Sequence, residues 1–371
     1  MSKLYYSLGL MSGTSGDGVD ASIIQSDGDT QYKVILNKYF RYNQDIYENI
    51  HNLNDKIKNS SDLEKFSSEI NHLEKTITLF HADIVKRIIK NTTLNIKIIG
   101  FHGQTIFHDD KEKISKQLGD GKLLSSLTKK NVVYNFREND LKNGGRGAPL
   151  APVFHKLMVK QSKISLPVCI LNLGGIANIT VIKKHDNKDI FSRDIGPGNC
   201  LIEQWIRKNS KKKYDNNGSI AKSGKIDKKI IDMIFKQYNK KRKLSFHTKD
   251  FDSSFVKNLS YKDGVATLTY FTSKILFTQL LKILKKKKNK LWNVLVCGGG
   301  RKNNTIMQTI KEETFKKLVF RSIDDYNIDG DFVESQAFAY LAIRSFINLP
   351  ISYPKTTGVK KPSTGGSIIR I

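Results

Sequence analysis

No apolar run in the 371 residues reaches the roughly 18 positions of a membrane span. The opening residues, Met1-Ser2-Lys3-Leu4-Tyr5-Tyr6-Ser7-Leu8, offer neither the apolar h-region nor the small-residue cleavage site of a secretory leader. Cysteine is scarce. Cys169, Cys200 and Cys297 stand far apart with no CxxC pair, which excludes a disulfide framework and a thiolate zinc site. A cytoplasmic setting is therefore expected. His102 and His108 are six apart and neither HxxxH nor HExxH occurs, so the histidines form no metal set. Neither GxxxxGK(S/T) nor a GxGxxG opening a helix is present, which argues against P-loop and Rossmann sites. Acidic residues are few: 35 Asp+Glu against 63 Lys+Arg leave a formal charge of +28, attractive to nucleic acid, anionic lipid or phosphorylated metabolites. Only 11 of the basic residues are Arg, and the Lys fall in short runs such as 211–213 and 285–288. That is the pattern of a solvated surface rather than of one Arg- and aromatic-interleaved stripe, so neither nucleic acid nor membrane is expected as a partner.

What is present points to a folded chain of two domains: 39% hydrophobic and 26% charged residues, at a prior of about 150 residues per domain. Residues 6–10 and 19–24 read as strands joined by the polar, glycine-rich tip Ser12-Gly13-Thr14-Ser15-Gly16-Asp17-Gly18. Apolar residues three or four apart from Leu63 to Ile88 predict a long helix, with Ser61 and Glu64 as its capping box. A buried strand at 96–100 runs into Phe101-His102-Gly103-Gln104-Thr105. The opening then repeats: 168–173, Gly174-Gly175, and 176–182 are again strand, glycine turn and returning strand. Two such hairpins about 160 residues apart suggest two copies of one topological unit. A helix at 266–284, a strand at 291–296 entering Cys297-Gly298-Gly299-Gly300, and a helix at 334–346 complete an α/β pattern.

Glycine turns after strands let backbone N–H groups converge on a phosphate where no Cβ blocks the approach. Gly13 to Gly18, Gly174-Gly175 and Gly298 to Gly300 are three candidates; each alone is equally an ordinary tight turn, while together they form a nucleotide signature. Asp194 precedes the turn Gly196-Pro197-Gly198-Asn199, which opens a helix at 200–207. It is either a turn carboxylate or a group beside an anion held at the electropositive helix end. Arg137 either holds a carboxylate or phosphate in a bidentate fork or fixes its own loop. His102 hydrogen-bonds in a cleft or serves structure, and Glu334 is functional or only a helix N-terminal charge.

The motifs combine more specifically than they stand alone. Gly9-Leu10-Met11-Ser12-Gly13-Thr14-Ser15-Gly16-Asp17-Gly18-Val19-Asp20, Phe101-His102-Gly103-Gln104-Thr105, Asn135-Phe136-Arg137 through Gly147-Ala148-Pro149, Asn172-Leu173-Gly174-Gly175-Ile176-Ala177-Asn178, Asp194 to Asn199, Val296-Cys297-Gly298-Gly299-Gly300 and Glu334-Ser335-Gln336-Ala337 closely resemble, in the same order, the anhydro-N-acetylmuramic acid kinase family. The resemblance implies a two-lobed actin-like ATPase and sugar-kinase fold of the ribonuclease H-like type, a duplicated βββαβαβα unit around a central cleft. Its lobes are expected at 1–130 with about 346–371, and at 131–345. It implies a cytoplasmic enzyme of peptidoglycan recycling that uses ATP and Mg2+ to open 1,6-anhydro-N-acetylmuramic acid with water and phosphorylate O6. By resemblance Asp194 is the catalytic base, assisted by Glu334 on the sugar. Gly13, Thr14, Ser15, Gly16, Asp17, Gly18, Val19 and Asp20 hold the ATP phosphates, with Asp17 near the hydration shell of the metal. Gly174 and Gly175 face the phosphates, and Gly298, Gly299 and Gly300 the adenosine. Arg137 is the candidate for the substrate's lactyl carboxylate, and His102 is a further candidate for substrate binding. A homodimer is a further expectation. Two positions depart from the family's pattern: Gly16 replaces a bulky apolar residue, which would loosen the loop, and Ile195 replaces a Thr whose hydroxyl could have oriented Asp194. The rival expectations are a non-kinase ATPase of the same fold, whose ADP release ignores the sugar, and a nucleic-acid binder with steep salt dependence.

Overall fold

Apolar strands alternating with helices fold here into two α/β units, in a computed structural model that describes residues 3–240, 245–246, 248–284, 291–315 and 317–371. Unit 1 comprises Met1–Ile164, Lys184–Phe191 and Phe332–Ile371, and unit 2 comprises Ser165–Lys183 and Ser192–Asp331. Element numbers follow the chain through both units.

Unit 1 carries β1 (Tyr5–Ser12), β2 (Gly18–Ser26), β3 (Tyr32–Arg41), β4 (Ile96–Asp109), β5 (Ile114–Leu118), β6 (Asn131–Tyr134) and β12 (Ser367–Ile369). Their order in the sheet is β12-β6-β4-β1-β2-β3, with β5 paired to β4. The pairs β1–β2 and β2–β3 are antiparallel, while β1–β4 and β4–β6 are parallel. Around the sheet lie α1 (Gln44–Lys56), α2 (Ser61–Lys65), α3 (Ser67–Lys90), α4 (Gly121–Thr128), α5 (Glu138–Lys142), α6 (Pro152–Gln161), α12 (Val333–Phe346) and α13 (Pro354–Thr357). Ile46, Ile50, Leu73, Ile77, Ile84 and Ile88 of α1 and α3 pack with Leu8, Leu10, Ile23 and Ile99 of the strands into one core, each worth roughly 1.5–3 kcal/mol of burial.

Unit 2 carries β7 (Val168–Leu173), β8 (Ile176–Ile182), β9 (Ile190–Pro197, its first two residues counted with unit 1), β10 (Trp292–Cys297) and β11 (Leu318–Ser322) in the order β11-β10-β7-β8-β9. Here β7–β8 is antiparallel, and β7–β10 and β10–β11 are parallel. Its helices are α7 (Cys200–Asn209), α8 (Ser219–Ser223), α9 (Lys228–Lys240), α10 (Tyr261–Ile283) and α11 (Asn304–Glu313). With β5, which pairs only with β4, set aside, both sheets run third, second, first, fourth and fifth strand: β3-β2-β1-β4-β6 and β9-β8-β7-β10-β11. The expected duplicated unit is therefore present as two sheets of one topology.

The units divide at other places than the expected 130/131 and 345/346. Residues 131–164 belong with unit 1 because β6 is parallel to β4. So does α12, which packs on β1 so closely that a methyl on Gly9 would lie 2.0 Å from the Ser335 carbonyl oxygen. The long helix expected from Leu63 is broken at Phe66, and its capping box does not form. Asn59 Oδ1 takes the Ser61 hydroxyl at 2.6 Å, and Asp62 instead accepts the amides of Lys58 and Asn59. The strand expected at 96–100 continues to Asp109. Lys211 and Lys212 are exposed, as a solvated run should be, while 285–288 lie outside the described residues. Among the described residues no helix is long and apolar enough to cross a membrane.

Candidate active site

The tip of the β1–β2 hairpin is a tight turn in which Gly16 N donates to the Gly13 carbonyl at 3.1 Å. Gly16 has φ +61°, a left-handed conformation costly to residues with a Cβ, and a methyl there would press on Ile50 Cγ2 at 2.9 Å. Gly16 therefore adopts without strain the conformation that this turn has at that position. Three carbonyls of the loop are tied back to the protein. Gly13 O accepts from Gln104 Nε2, Ser15 O from His51 Nε2, and Asp17 O from both Tyr39 OH and Tyr42 N, all at 3.0 Å. The amides of Thr14, Ser15 and Asp17 have no acceptor among the described residues. Three carbonyls held from behind and three amides without an acceptor give the loop the kind of donors that an anion cradle uses. Asp17 adds a carboxylate, which accepts from Ser15 Oγ. Val19 is fully buried in the core and Asp20 lies within β2, so these two continue the strand rather than the loop.

The neighbouring strand β4 carries His102. Its Nδ1 faces the Gly103 carbonyl at 2.7 Å and its Nε2 faces Arg137 Nη2 at 2.9 Å. A carbonyl only accepts and a guanidinium only donates, so the ring is protonated at Nδ1 and neutral. Burial, with the Arg137 charge second, pushes its pKa down to about 3. His102 therefore orients Arg137, whose Nη1 also donates to Gly147 O at 2.9 Å. Buried Asp140 fixes that loop by accepting from Gly147 N at 2.7 Å and from Thr357 Oγ1. The two residues expected at the sugar are thus joined, Arg137 as the charge and His102 as its holder. Glu334 stands in the first turn of α12, a helix buried from Val333 to Ser345 except at this one residue.

In unit 2 the Gly174-Gly175 turn joins β7 to β8. Its carbonyls accept three amides from the segment entering α7: Asn199 N to Gly174 O at 2.9 Å, and Gly198 N and Cys200 N to Gly175 O at 2.9 and 3.2 Å. The last of these is the first amide of α7, so one helix-entry donor that an anion there would have used is engaged by the turn. The approach is possible because residue 198 is Gly; a methyl would stand 2.0 Å from Gly174 O. Gly298 and Gly300, following β10, lie against Asn172 and Leu173 at the end of β7, while around Gly299 a methyl would meet nothing within 4 Å. Arg301 clamps this turn, forking onto Asp324 at 2.7 and 3.0 Å and reaching Gly298 O and Asp331 through Nη1. The second and third glycine motifs therefore converge at the ends of the adjacent parallel strands β7 and β10, the edge where α/β sheets bind ligands.

Asp194 lies within β9 rather than in the turn, with 6% of its surface exposed. Its Oδ2 accepts from Phe246 N at 2.8 Å. That amide supplies the orientation a hydroxyl at 195 could have given; Ile195 itself is buried. Tyr238 stacks near Phe246 at 6.4 Å, and its phenol is pushed up chiefly by burial, with the Asp194 charge adding to the shift and Arg193 opposing it.

The family model described as "Anhydro-N-acetylmuramic acid kinase" matches residues 5–370. The chain belongs to this family. A relative of that name from Pelagibacter ubique (strain HTCC1062) is 56% identical over 100% of both chains. One from Zymomonas mobilis subsp. mobilis is 38% identical over 97% of this chain and 98% of its own, and one from Agrobacterium fabrum is 33% identical over 100% of both. Membership in this kinase family makes the chain a phosphotransferase, with ATP as the implied donor and a small sugar as the implied acceptor.

Several residues of these sites were not singled out from the sequence. His51, Tyr39 and Phe246 each donate a hydrogen bond to a backbone or carboxylate oxygen, and no motif spacing marks them. Gln104 was visible within its motif, but only the fold brings its amide to Gly13.

Proposed function

We propose that the chain opens 1,6-anhydro-N-acetylmuramic acid with water and transfers the γ-phosphoryl group of ATP to O6, giving N-acetylmuramic acid 6-phosphate and ADP in peptidoglycan recycling. Family membership supports the substrate and the reaction; the observation that carries the mechanism is Asp194, a nearly buried carboxylate fixed at one oxygen by the Phe246 amide. Water is a weak nucleophile at an acetal carbon, so a positioned base is required. Asp194 takes the proton as the water oxygen bonds to C1. The C1–O6 bond breaks, O6 keeps the electron pair and bonds to the γ-phosphorus, and ADP leaves. Leaving group and phosphoryl acceptor are one atom, so phosphoryl transfer needs chiefly positioning and charge stabilisation.

We assign the amides of residues 13–18 and of Gly174-Gly175 to the phosphates and the Gly298-Gly299-Gly300 turn to adenosine. Glu334 is assigned to the sugar and Arg137, oriented by His102, to its lactyl carboxylate. Among the described residues no three His, Cys, Asp or Glu side chains gather as a metal cage. A single carboxylate, Asp17, beside a phosphate cradle fits Mg2+ that keeps its waters and the triphosphate oxygens as ligands. When bound, the ion would neutralise phosphate charge.

The test is ADP release measured with and without the anhydrosugar. Strict dependence on the sugar is expected; ADP release indifferent to it would make the chain a non-kinase ATPase. Asp194→Asn should keep ADP affinity and lose turnover by about a hundredfold or more. Near-normal turnover in the folded variant would remove Asp194 from the role.

A further inference from the structure

The loop at residues 13–17 alternates in its hydrogen bonding. The peptide planes following Gly13, Ser15 and Asp17 have their carbonyls held by Gln104, by His51, and by Tyr39 and Tyr42 respectively. The planes between them, 14–15 and 16–17, make no hydrogen bond within the described protein. Turning the Gly13 carbonyl toward Gln104 sends the Thr14 N–H the opposite way, since the two dipoles of a trans peptide are antiparallel. The central anchor, on Ser15, comes from His51 on α1. That helix is rigidly placed: Asn43 caps it through Ile46 N at 2.9 Å, Ile46, Tyr47, Ile50 and Leu53 bury one face, and the Tyr47 ring meets His51 edge-on at 4.4 Å. The preceding residue, Ile50, fills the space beside Gly16. One turn of helix therefore backs the loop by packing at residue 16 and by a hydrogen bond at residue 15.

We propose that His51 is a positioning residue for phosphate binding: its Nε2–H holds the Ser15 carbonyl against α1, which fixes the 15–16 peptide and with it the turn closed by Gly16 N on Gly13 O, and that turn keeps the amides of Thr14, Ser15 and Asp17 presented together to the nucleotide's phosphates. This rests on the assignment of the loop to phosphate. The sequence departure at Gly16 then has a structural counterpart, because α1 supplies from outside the support that the loop's own side chain does not.

The experiment uses the full chain, with ATP varied at saturating anhydrosugar, the sugar varied at saturating ATP, and ADP affinity measured by calorimetry. His51→Leu removes the donor. It should raise the ATP KM and the ADP Kd about fivefold, the worth of one net hydrogen bond, and leave the sugar KM within about twofold. His51→Gln, whose side-chain amide can donate to the same carbonyl, should return both nucleotide constants close to the starting values. Thr14→Pro tests the underlying assignment: Pro is tolerated at the second position of a four-residue turn and deletes one presented N–H. A raised ATP KM in Thr14→Pro with none in His51→Leu overturns the role of His51 and leaves the loop assignment standing. An ATP KM indifferent to both changes overturns the loop assignment and this role with it. Equal rises of both KM values in His51→Leu, or no recovery in His51→Gln, would reduce His51 to general support of the fold and likewise overturn the proposal.

Discussion

Replacing Gly198 by Ala should damage unit 2 and its site together, for a reason confined to one methyl group. The backbone at Gly198 is outside the left-handed region, so an alanine can adopt it without strain. Space is the whole issue. The new Cβ would stand 2.0 Å from Gly174 O, 3.0 Å from Gly174 C and 3.2 Å from Gly175 O. Ordinary contact begins more than an ångström farther out than the first of these, and backbone atoms cannot swing aside as a side-chain tip can. The entry to α7 must therefore retreat from the turn, weakening the three bonds at 2.9, 2.9 and 3.2 Å that join them. At about 1 kcal/mol for each lost bond, the cost is about 3 kcal/mol, within the range of an overpacked interior site. Thermal unfolding should fall by about 6–10 °C for a domain of this size. Gly299→Ala is the matched control: the same methyl at a site with nothing within 4 Å should change stability by less than about 0.5 kcal/mol. If adenosine lies over the Gly298-Gly299-Gly300 turn, that methyl should instead raise the ATP KM about tenfold, as a misfit of roughly 1.4 kcal/mol would. Equal melting temperatures for the two variants would refute the steric reasoning, and an unchanged ATP KM in Gly299→Ala would remove the nucleotide from the turn.

Acid should destabilise unit 1, because burial holds the pKa of His81, His102 and His155 at about 4, 3 and 4 against an ordinary 6.5. The unfolded chain then binds more protons than the folded one below pH 6.5, so this stability is complete above 6.5 and is lost as pH falls toward the folded values, by up to about 1.4 kcal/mol per pH unit for each ring. A urea midpoint unchanged between about pH 7 and about pH 5 would contradict this. Arg137→Ala should raise the anhydrosugar KM about thirtyfold, the worth of a charge-assisted contact, with the ATP KM within about twofold; His102→Phe should do the same to a smaller degree. Equal effects on the two KM values would place Arg137 away from the sugar carboxylate.

Strand and helix positions were legible because apolar periodicity is a local property. β7 and β8 fall where the pattern puts them, and the 160-residue echo of the hairpin does correspond to two sheets of one strand order. Unit boundaries were not legible, because they follow from pairing. Nothing in residues 131–134 says that they will lie parallel to β4, and nothing in α12 says that Gly9 will admit it against β1. The Ser61/Glu64 capping signature failed because Asn59 and Asp62, two polar residues in the same few positions, offered competing hydrogen bonds. At the site, the types of residue were readable and their partners were not. Arg137 and His102 were both named for the sugar, yet only their 2.9 Å contact separates the charge from its holder.

The two hairpins also show how one topology reaches one electrostatic result by different fasteners. Each glycine turn has carbonyls occupied from behind. In unit 1 the donors include the side chains Gln104, His51 and Tyr39, drawn from β4, α1 and β3. In unit 2 the three described donors are the consecutive backbone amides of residues 198–200. A side-chain fastener can be changed one bond at a time, and a glutamine can replace a histidine. A backbone fastener depends on the approach of two chains and fails as a whole when a Cβ intervenes. His51→Leu should accordingly act as a graded change in nucleotide affinity with little change in melting temperature, whereas Gly198→Ala should lower both at once. That contrast follows from the hydrogen-bond donors alone, and a His51→Leu variant that melts as early as Gly198→Ala would break it.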